Sequence, residues 1–305
     1  MITQKALRRN NTRLKRTIRS CTTIECIIVC LSWVMLMSYA DISNAQQKAS
    51  NKNHLEPEHR IEFRSGATPS NPLDFNRPYS RIVGYLYKPK GEGRYPAVVL
   101  IHDVDGIHRI HIEWAKRLAA WGYVSLVVDS RNRLDPGGPG FSPMMMAQDA
   151  YGALKHLHGL AFVDPARIAV MGWSYGANAI MSALKANPQQ PSSPTHLFTK
   201  DPNYRFKAGI TYYPLCSPVE TTMYAPMLIF VGDKDILFKK NCDTFPKENR
   251  AGGEPYRITV YPGATHYFDY GEVRPDQYQM QQCVPDPSAT QDAIERVKAF
   301  LQEKL

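Results

Sequence analysis

The sequence predicts an α/β fold in which a mostly parallel central sheet is covered by helices on both faces. Strand-like apolar runs alternate with helix-forming segments along the chain, which is the pattern of parallel strands joined by helices. Several of these runs are apolar almost without interruption, as strands buried on both faces are. A length of 305 residues and an apolar content of 43% suffice for one such domain.

The predicted elements follow in chain order. Strands are expected at 81–87, 97–101, 124–128, 168–171, 208–213, 227–231 and 258–261, where β-branched and other apolar residues dominate. Helices are expected at 112–120, 145–158, 174–185 and 289–303. Residues 187–206 contain four prolines and few apolar side chains, so we interpret them as a surface excursion between a helix and a strand.

The first 45 residues have the layout of a secretory signal peptide. Basic residues are dense between Lys5 and Arg19, an apolar run covers 27–37, and Ser43-Asn44-Ala45 supplies small residues for cleavage. The run is short for a membrane span, which needs about 20 residues, so an uncleaved signal anchor is the second interpretation. Polar residues 46–60 predict a linker, and 61–305 the folded domain. We therefore expect export to the periplasm or outside the cell, with membrane contact only through this leader.

The net charge does not indicate a nucleic-acid partner. The whole chain has 37 Lys and Arg against 28 Asp and Glu, a formal charge of +9. Residues 1–45 hold seven of the basic and two of the acidic residues, which leaves residues 46–305 with +4. There is no stripe of basic residues interleaved with aromatic ones, so no nucleic-acid binding is expected.

Three cysteines follow the leader: Cys216, Cys242 and Cys283. An exported protein meets conditions that permit disulfides. Because three is an odd number, we expect one pair and one free thiol. Cys216 with Cys242 is the preferred pair because both would flank the carboxyl ends of neighbouring strands, and three unpaired thiols is the alternative.

The expected nucleophile is Ser174, at the point where a β-branched run gives way to helix formers. The segment Gly172-Trp173-Ser174-Tyr175-Gly176 matches GxSxG, in which a sharp strand-to-helix turn exposes the serine hydroxyl. Glycine leaves room for such a turn. A serine attacks a carbonyl only when it is exposed, held near a base and close to N–H donors for the oxyanion.

A base and an orienting carboxylate should follow the serine along the chain. In sheets that carry a GxSxG turn, the acid comes before the histidine. His266 is the only histidine beyond residue 196, and it comes just after the strand predicted at 258–261. Asp235 follows the strand predicted at 227–231 and is the preferred carboxylate, with Asp233 as the alternative. Each residue alone could be a cap, a turn former or a surface side chain, but their order and placement together predict a triad.

The oxyanion hole should combine two backbone N–H groups. One belongs to the residue after the nucleophile, which is Tyr175, and the other to an early strand-to-helix loop. The strand predicted at 97–101 runs into the polar residues 102–106, where Val104 is the expected donor. His102 precedes Ser174 in the chain and is expected to be structural.

Several segments together resemble the dienelactone hydrolase family of the α/β-hydrolase fold, over roughly residues 85–301. They are PAVVLIH at 96–102, WAKRLAAWGYV at 114–124, VDS at 128–130, GWSYG at 172–176, YPLC at 213–216, GDKD at 232–235 and YPGATHYFD at 261–269. The resemblance implies the same triad and the same two backbone donors. Ser174 stands where the namesake enzymes carry cysteine, so the chain is similar to the serine branch. Arg133 could match an arginine that holds the substrate carboxylate in those enzymes.

These features predict an exported serine hydrolase that cleaves the carboxylic ester of a small molecule, with no metal or organic cofactor. Trp173, Tyr213 and Tyr267 are expected near the site as substrate contacts. A peptidase or amide hydrolase is one alternative. The other is a catalytically inactive exported binding protein on the same fold, which Asp103 and Asp105 in the early loop suggest.

Overall fold

A computed structural model describes residues 59–66, 81–134, 142–185, 204–215, 223–239, 255–276 and 281–305. Contacts divide the chain into Met1–Leu55 and Glu56–Leu305, and every described residue belongs to the second unit. The predicted signal peptide, most of the predicted linker, Cys216 and Cys242 lie outside the described residues. Cys283 is a buried free thiol, and burial raises its pKa to about 12.

An eight-stranded sheet forms the centre of the second unit, with strand order β1-β2-β4-β3-β5-β6-β7-β8. Strand β2 is antiparallel to both β1 and β4, and the pairs from β4 through β8 are parallel. This topology confirms the predicted mostly parallel α/β class. The strands are β1 His59–Arg64, β2 Arg81–Tyr87, β3 Tyr95–Ile101, β4 Val124–Arg133, β5 Val163–Trp173, β6 Gly209–Tyr212, β7 Met227–Gly232 and β8 Tyr256–Tyr261, with a separate hairpin of β9 Arg274–Pro275 and β10 Gln282–Cys283.

The described helices are α1 Arg109–Ala120, α2 Pro143–His158, α3 Tyr175–Ala183, α4 Ile236–Lys239 and α5 Pro287–Lys304. Helices α2 and α5 begin two residues before their predicted starts, because each has a capping side chain followed by proline at its first position. Ser142 accepts a hydrogen bond from the Met145 N–H, and Asp286 accepts one from the Ala289 N–H. No described helix is long and apolar enough to cross a membrane.

Two apolar cores lie on opposite faces of the sheet. Along β3, Val99 and Ile101 belong to one core and Val98 and Leu100 to the other, and all four are fully buried. Helices α2 and α3 cover the first face, while α1 and α5 cover the second. Burial on both faces explains why these strands are apolar without alternation.

The carboxyl ends of β3, β5, β6, β7 and β8 lie at one edge of the sheet because these strands are parallel. The loops that follow them therefore converge there, and they carry the residues that the sequence predicts for a site.

Strand β1 was not predicted. It begins at His59, two residues before the expected start of the domain, and pairs with β2 as the outermost strand of the sheet.

Candidate active site

Three side chains from different loops form a chain of two hydrogen bonds. His266 Nδ1 lies 2.7 Å from Asp235 Oδ2, and His266 Nε2 lies 2.9 Å from Ser174 Oγ. Ser174, Asp235 and His266 follow β5, β7 and β8, and they are 4%, 1% and 1% exposed. The structure thus brings together the three residues that the sequence selects. Both distances lie within the reach required between a nucleophile, its base and the group that orients the base.

The backbone at Ser174 is a strained turn. Its φ of 47° and ψ of −109° place a non-glycine residue in a rarely populated region, and α3 begins at the next residue. The Ser174 N–H donates to the Tyr212 carbonyl at 3.0 Å, which fixes the turn against β6. A Cβ on Gly172 would lie 2.9 Å from the backbone carbonyl of Gly176, and a Cβ on Gly176 would overlap the carbonyl oxygens of Ile101 and His102. Both flanking glycines are therefore required by space.

The structure brings Asp235, and not Asp233, to the histidine. Asp235 Oδ1 accepts a hydrogen bond from the Leu237 N–H at 2.9 Å, which leaves Oδ2 to His266. Asp233 instead accepts from the Gly263 N–H at 2.6 Å and so ties the two loops together. Because a carboxylate only accepts, it selects the tautomer of His266 with hydrogen on Nδ1, and Nε2 is then the acceptor for the Ser174 hydroxyl.

Asp269 is a buried carboxylate that the sequence did not indicate, and it contacts two residues next to the site. Asp269 accepts a hydrogen bond from Trp173 Nε1 at 2.9 Å and another from the Tyr213 hydroxyl at 2.6 Å. Burial raises the pKa of Asp269 to about 6, while these two hydrogen bonds oppose the rise. Tyr213 has a φ of 40°, and its ring centroid lies 4.5 Å from that of His266. An acidic residue within the aromatic stretch 267–270 is the sequence signal that could have identified Asp269.

This arrangement gives no support to the expected substrate contacts at Trp173 and Tyr213. Both side chains are buried, and Asp269 already holds the polar atoms through which they would bind a ligand. Their polar atoms instead join two segments through Asp269: Trp173 precedes the nucleophile, and Tyr213 follows Tyr212, whose carbonyl accepts from the Ser174 N–H. Tyr267 is also fully buried and lies against His266, with ring centroids 4.4 Å apart. Arg133 is the last residue of β4, and its side chain lies outside the described atoms.

The early loop that follows β3 is fixed by His102. This fully buried histidine accepts a hydrogen bond from the Ser130 N–H at 3.1 Å, so its Nδ1 carries the proton and donates to the Asp103 carbonyl at 2.6 Å. Burial lowers the pKa of His102 to about 4 and keeps the ring neutral. These contacts agree with a structural His102. The Val104 carbonyl accepts from the Arg131 guanidinium, which holds the loop at the site of the expected oxyanion donor.

Charged and aromatic residues cover the early loop. The Tyr270 hydroxyl donates to Asp103, and Arg274 donates to Asp105 at 2.6 Å. Ligand atoms of Asp103, Asp105 and His108 lie within 4.8 Å of one another, which makes them a candidate metal group within the described part of the chain. A hydroxyl and a guanidinium already occupy the two carboxylates, so the group is a poor fit for a cation.

Comparisons with known proteins show which family the chain is similar to and which solved structures share its fold. A model of the dienelactone hydrolase family matches residues 82–192 and 195–305. An uncharacterized protein of Mycobacterium tuberculosis is 28% identical over 200 residues, which cover 61% of this chain and 68% of that protein. A probable 2-oxo-3-(5-oxofuran-2-ylidene)propanoate lactonase of Bradyrhizobium sp is 25% identical over 198 residues, or 61% and 78% of the two chains. The structure of Thermogutta terrifontis esterase 2 phosphorylated by paraoxon has a TM-score of 0.53 and 18% identity, with 81% and 95% of the chains covered, and so shares the fold.

Proposed function

We propose that this chain, which belongs to the dienelactone hydrolase family, cleaves its substrate by a serine acyl-enzyme mechanism. Family membership makes the protein a carboxylic ester hydrolase. In the proposed mechanism Ser174 is the nucleophile, His266 the base and Asp235 the carboxylate that orients it. The observation that carries this assignment is the pair of hydrogen bonds, 2.7 Å and 2.9 Å long, that links the three side chains.

Ser174 attacks first. As Oγ bonds to the ester carbonyl carbon, His266 Nε2 takes the hydroxyl proton and the carbonyl electron pair moves onto oxygen. Asp235 keeps the imidazole in the tautomer that can accept this proton and stabilises the imidazolium that results. The N–H groups of Tyr175 and Val104 are the proposed donors to the oxyanion.

The alcohol leaves at the end of the first half-reaction, and the acyl group leaves in the second. His266 gives its proton to the departing alcohol, and the carbon–oxygen bond to the alcohol breaks. Water then takes the place of the alcohol: it loses a proton to His266 Nε2 and attacks the acyl-enzyme. The proton finally returns to Ser174 Oγ as the acid is released.

The test is Ser174→Ala, assayed with p-nitrophenyl acetate. We expect kcat to fall by about 10⁴-fold or more, because both half-reactions need the hydroxyl. Ser125→Ala is the matched control. Its hydroxyl is also buried and bonded, to the Ala115 carbonyl at 2.9 Å, but it lies on the α1 side of the sheet. Equal hydrolysis by Ser174→Ala and the wild type would rule out the serine mechanism.

Small esters and lactones are the proposed substrate class. The support is the similarity to a protein whose name describes a lactonase, at 25% identity. A panel of aryl esters, alkyl esters, lactones and anilides, each assayed with the wild type and Ser174→Ala, would rank these bonds. Faster cleavage of anilides than of esters would favour the amide hydrolase instead.

We also propose that residues 1–45 direct export. The support is the basic segment, the apolar run and the small residues at 43–45. N-terminal sequencing of the protein recovered from cell fractions tests this proposal. An envelope protein that begins near residue 46 supports a cleaved signal, whereas an intact chain in the cytosol contradicts export.

A further inference from the structure

The Tyr267 side chain has features that its place in the core does not explain. It is fully buried, and its φ of 55° puts a bulky residue in the left-handed region. Within the described part of the chain, no group meets hydrogen-bond geometry with its hydroxyl, which is itself buried. Strain and an unpaired buried hydroxyl both cost free energy. Such costs persist mainly at functional sites, so we infer that Tyr267 has a role in function.

The Tyr267 ring lies against the base and near the early loop. Its centroid is 4.4 Å from that of His266, whose Nε2 is 2.9 Å from Ser174 Oγ. Its centroid is also 4.9 Å from that of Tyr270, whose hydroxyl donates to Asp103 of the early loop. Burial raises the pKa of Tyr267, the carboxylates of Asp103 and Asp105 raise it further, and the Ser174 hydroxyl is close enough to lower it. Asp103 and Asp105 flank Val104, the expected backbone donor. The space between Ser174 and that loop is where the oxyanion of a tetrahedral intermediate would form.

A cation lies against the same ring. The Arg274 guanidinium is 4.5 Å from the Tyr267 ring centroid, and Asp105 holds it there through a 2.6 Å hydrogen bond. A cation over a phenol ring draws electron density from the ring and makes the hydroxyl a better donor. Because burial favours the neutral phenol, the hydroxyl keeps its proton and is available to donate.

Nearby tyrosines are not available in this way. The Tyr270 hydroxyl donates to Asp103, and the Tyr213 hydroxyl donates to Asp269 at 2.6 Å. Tyr212 does have a buried hydroxyl without a partner among the described residues, but its ring stacks on Trp173 and contacts Phe230 within the core. Of these four tyrosines, Tyr267 is the one that combines a ring against the base with a hydroxyl that has no partner among the described residues.

We propose that the Tyr267 hydroxyl donates a hydrogen bond to the oxyanion formed on Ser174 and is a side-chain member of the oxyanion hole. This inference rests on the proposed serine mechanism. No proton is transferred: the carbonyl electron pair moves onto oxygen, the Ser174 proton goes to His266, and Tyr267 keeps its O–H bond. The interaction exists only once the oxyanion has formed, so it lowers the barrier without tightening substrate binding.

Tyr267→Phe removes the hydroxyl and retains the ring. We expect kcat for p-nitrophenyl acetate to fall by about 10²-fold, as for the loss of one oxyanion donor, while KM changes by less than about threefold. Affinity for a boronic acid that forms a tetrahedral adduct with Ser174 should fall by a similar factor. The thermal midpoint should stay equal or rise, because no described group meets hydrogen-bond geometry with the deleted hydroxyl.

Thr211→Val is the matched control, since it also deletes a buried hydroxyl that has no partner among the described residues. We expect its kcat to match the wild type. The proposal is overturned if Tyr267→Phe keeps kcat within about threefold, or if the two variants lose activity equally. It is also overturned if Tyr267→Phe fails to fold, because the hydroxyl would then have a structural partner. Loss of Ser174-dependent hydrolysis in the wild type itself would instead contradict the proposed function.

Discussion

At the scale of single residues, Asp233 and Asp235 have different partners although only one residue separates them. Asp235 contacts the imidazole of His266 at 2.7 Å, and Asp233 accepts from the Gly263 backbone at 2.6 Å. One carboxylate therefore selects a tautomer, while the other joins the loops after β7 and β8. The difference is chemical as well as positional, because only the first contact needs a negative charge.

The variants Asp235→Asn and Asp233→Asn should separate these roles. We expect Asp235→Asn to lower kcat by about 10⁴-fold, because an amide can donate to Nδ1 and favour the wrong tautomer of His266. Asp233→Asn keeps an oxygen that can accept from the Gly263 N–H, so its kcat should stay within a few-fold of the wild type. Steady-state hydrolysis of p-nitrophenyl acetate measures both. A larger loss for Asp233→Asn than for Asp235→Asn would contradict the assignment.

The sequence sufficed to place Ser174, Asp235 and His266 because each follows a strand that could be predicted, and parallel strands bring their carboxyl ends together. It did not suffice for Asp269 or for the proposed oxyanion role of Tyr267, which the sequence placed near the site only as an expected substrate contact. Asp269 acquires its role from donors 56 and 96 residues earlier in the chain. That the Tyr267 hydroxyl is buried without a partner among the described residues is likewise a property of the folded environment, which no local pattern of residues encodes.

At the scale of elements, the site depends on how closely α3 approaches the end of β3. A Cβ at position 176 would overlap the carbonyl oxygens of Ile101 and His102. The first turn of the nucleophile helix thus touches the backbone that leads into the early loop. Position 176 needs a glycine because α3 and the end of β3 approach closely, and not because of a positive φ.

Gly176→Ala should therefore weaken both folding and catalysis. We expect the free energy of unfolding to fall by about 1–3 kcal/mol from overpacking, and kcat to fall because the early loop must shift. Gly271→Ala is the control, because a Cβ there meets no atom within 4 Å and the backbone is outside the left-handed region. Urea unfolding compares the two variants. Equal stability of both variants and the wild type would show that α3 and β3 can separate without cost.

The strands and helices themselves differed in how far the sequence could predict them. Strand β2 has the predicted bounds 81–87, since β-branched and aromatic residues dominate it. Strand β1, His59–Arg64, has four exposed residues of six and sits at the end of a polar segment, so no apolar run marks it. Its pairing with β2 comes from a long-range contact rather than from its own composition.

At the scale of the whole molecule, two buried titratable groups make opposite contributions to stability. Burial raises the pKa of Asp269 from 3.8 to about 6 and lowers the pKa of His102 from 6.5 to about 4. Between pH 3.8 and about 6, Asp269 binds a proton in the native protein that it lacks in the unfolded chain. The contribution of Asp269 to the free energy of unfolding therefore falls as the pH rises. At His102 the unfolded chain binds the extra proton, so that contribution rises with pH. Over pH 4–6 the two slopes oppose each other.

Asp269→Asn should remove one slope and leave the other. We expect the free energy of unfolding of the variant to fall more steeply than that of the wild type as the pH is lowered from 6 to 4. The difference should be up to about 1.4 kcal/mol per pH unit, the value for one proton. Urea unfolding at pH 4, 5 and 6 measures it, and groups that titrate equally in both proteins cancel. Parallel curves would mean that Asp269 has the same charge in both states over this interval, so that an ionised carboxylate holds Trp173 and Tyr213 even in acid.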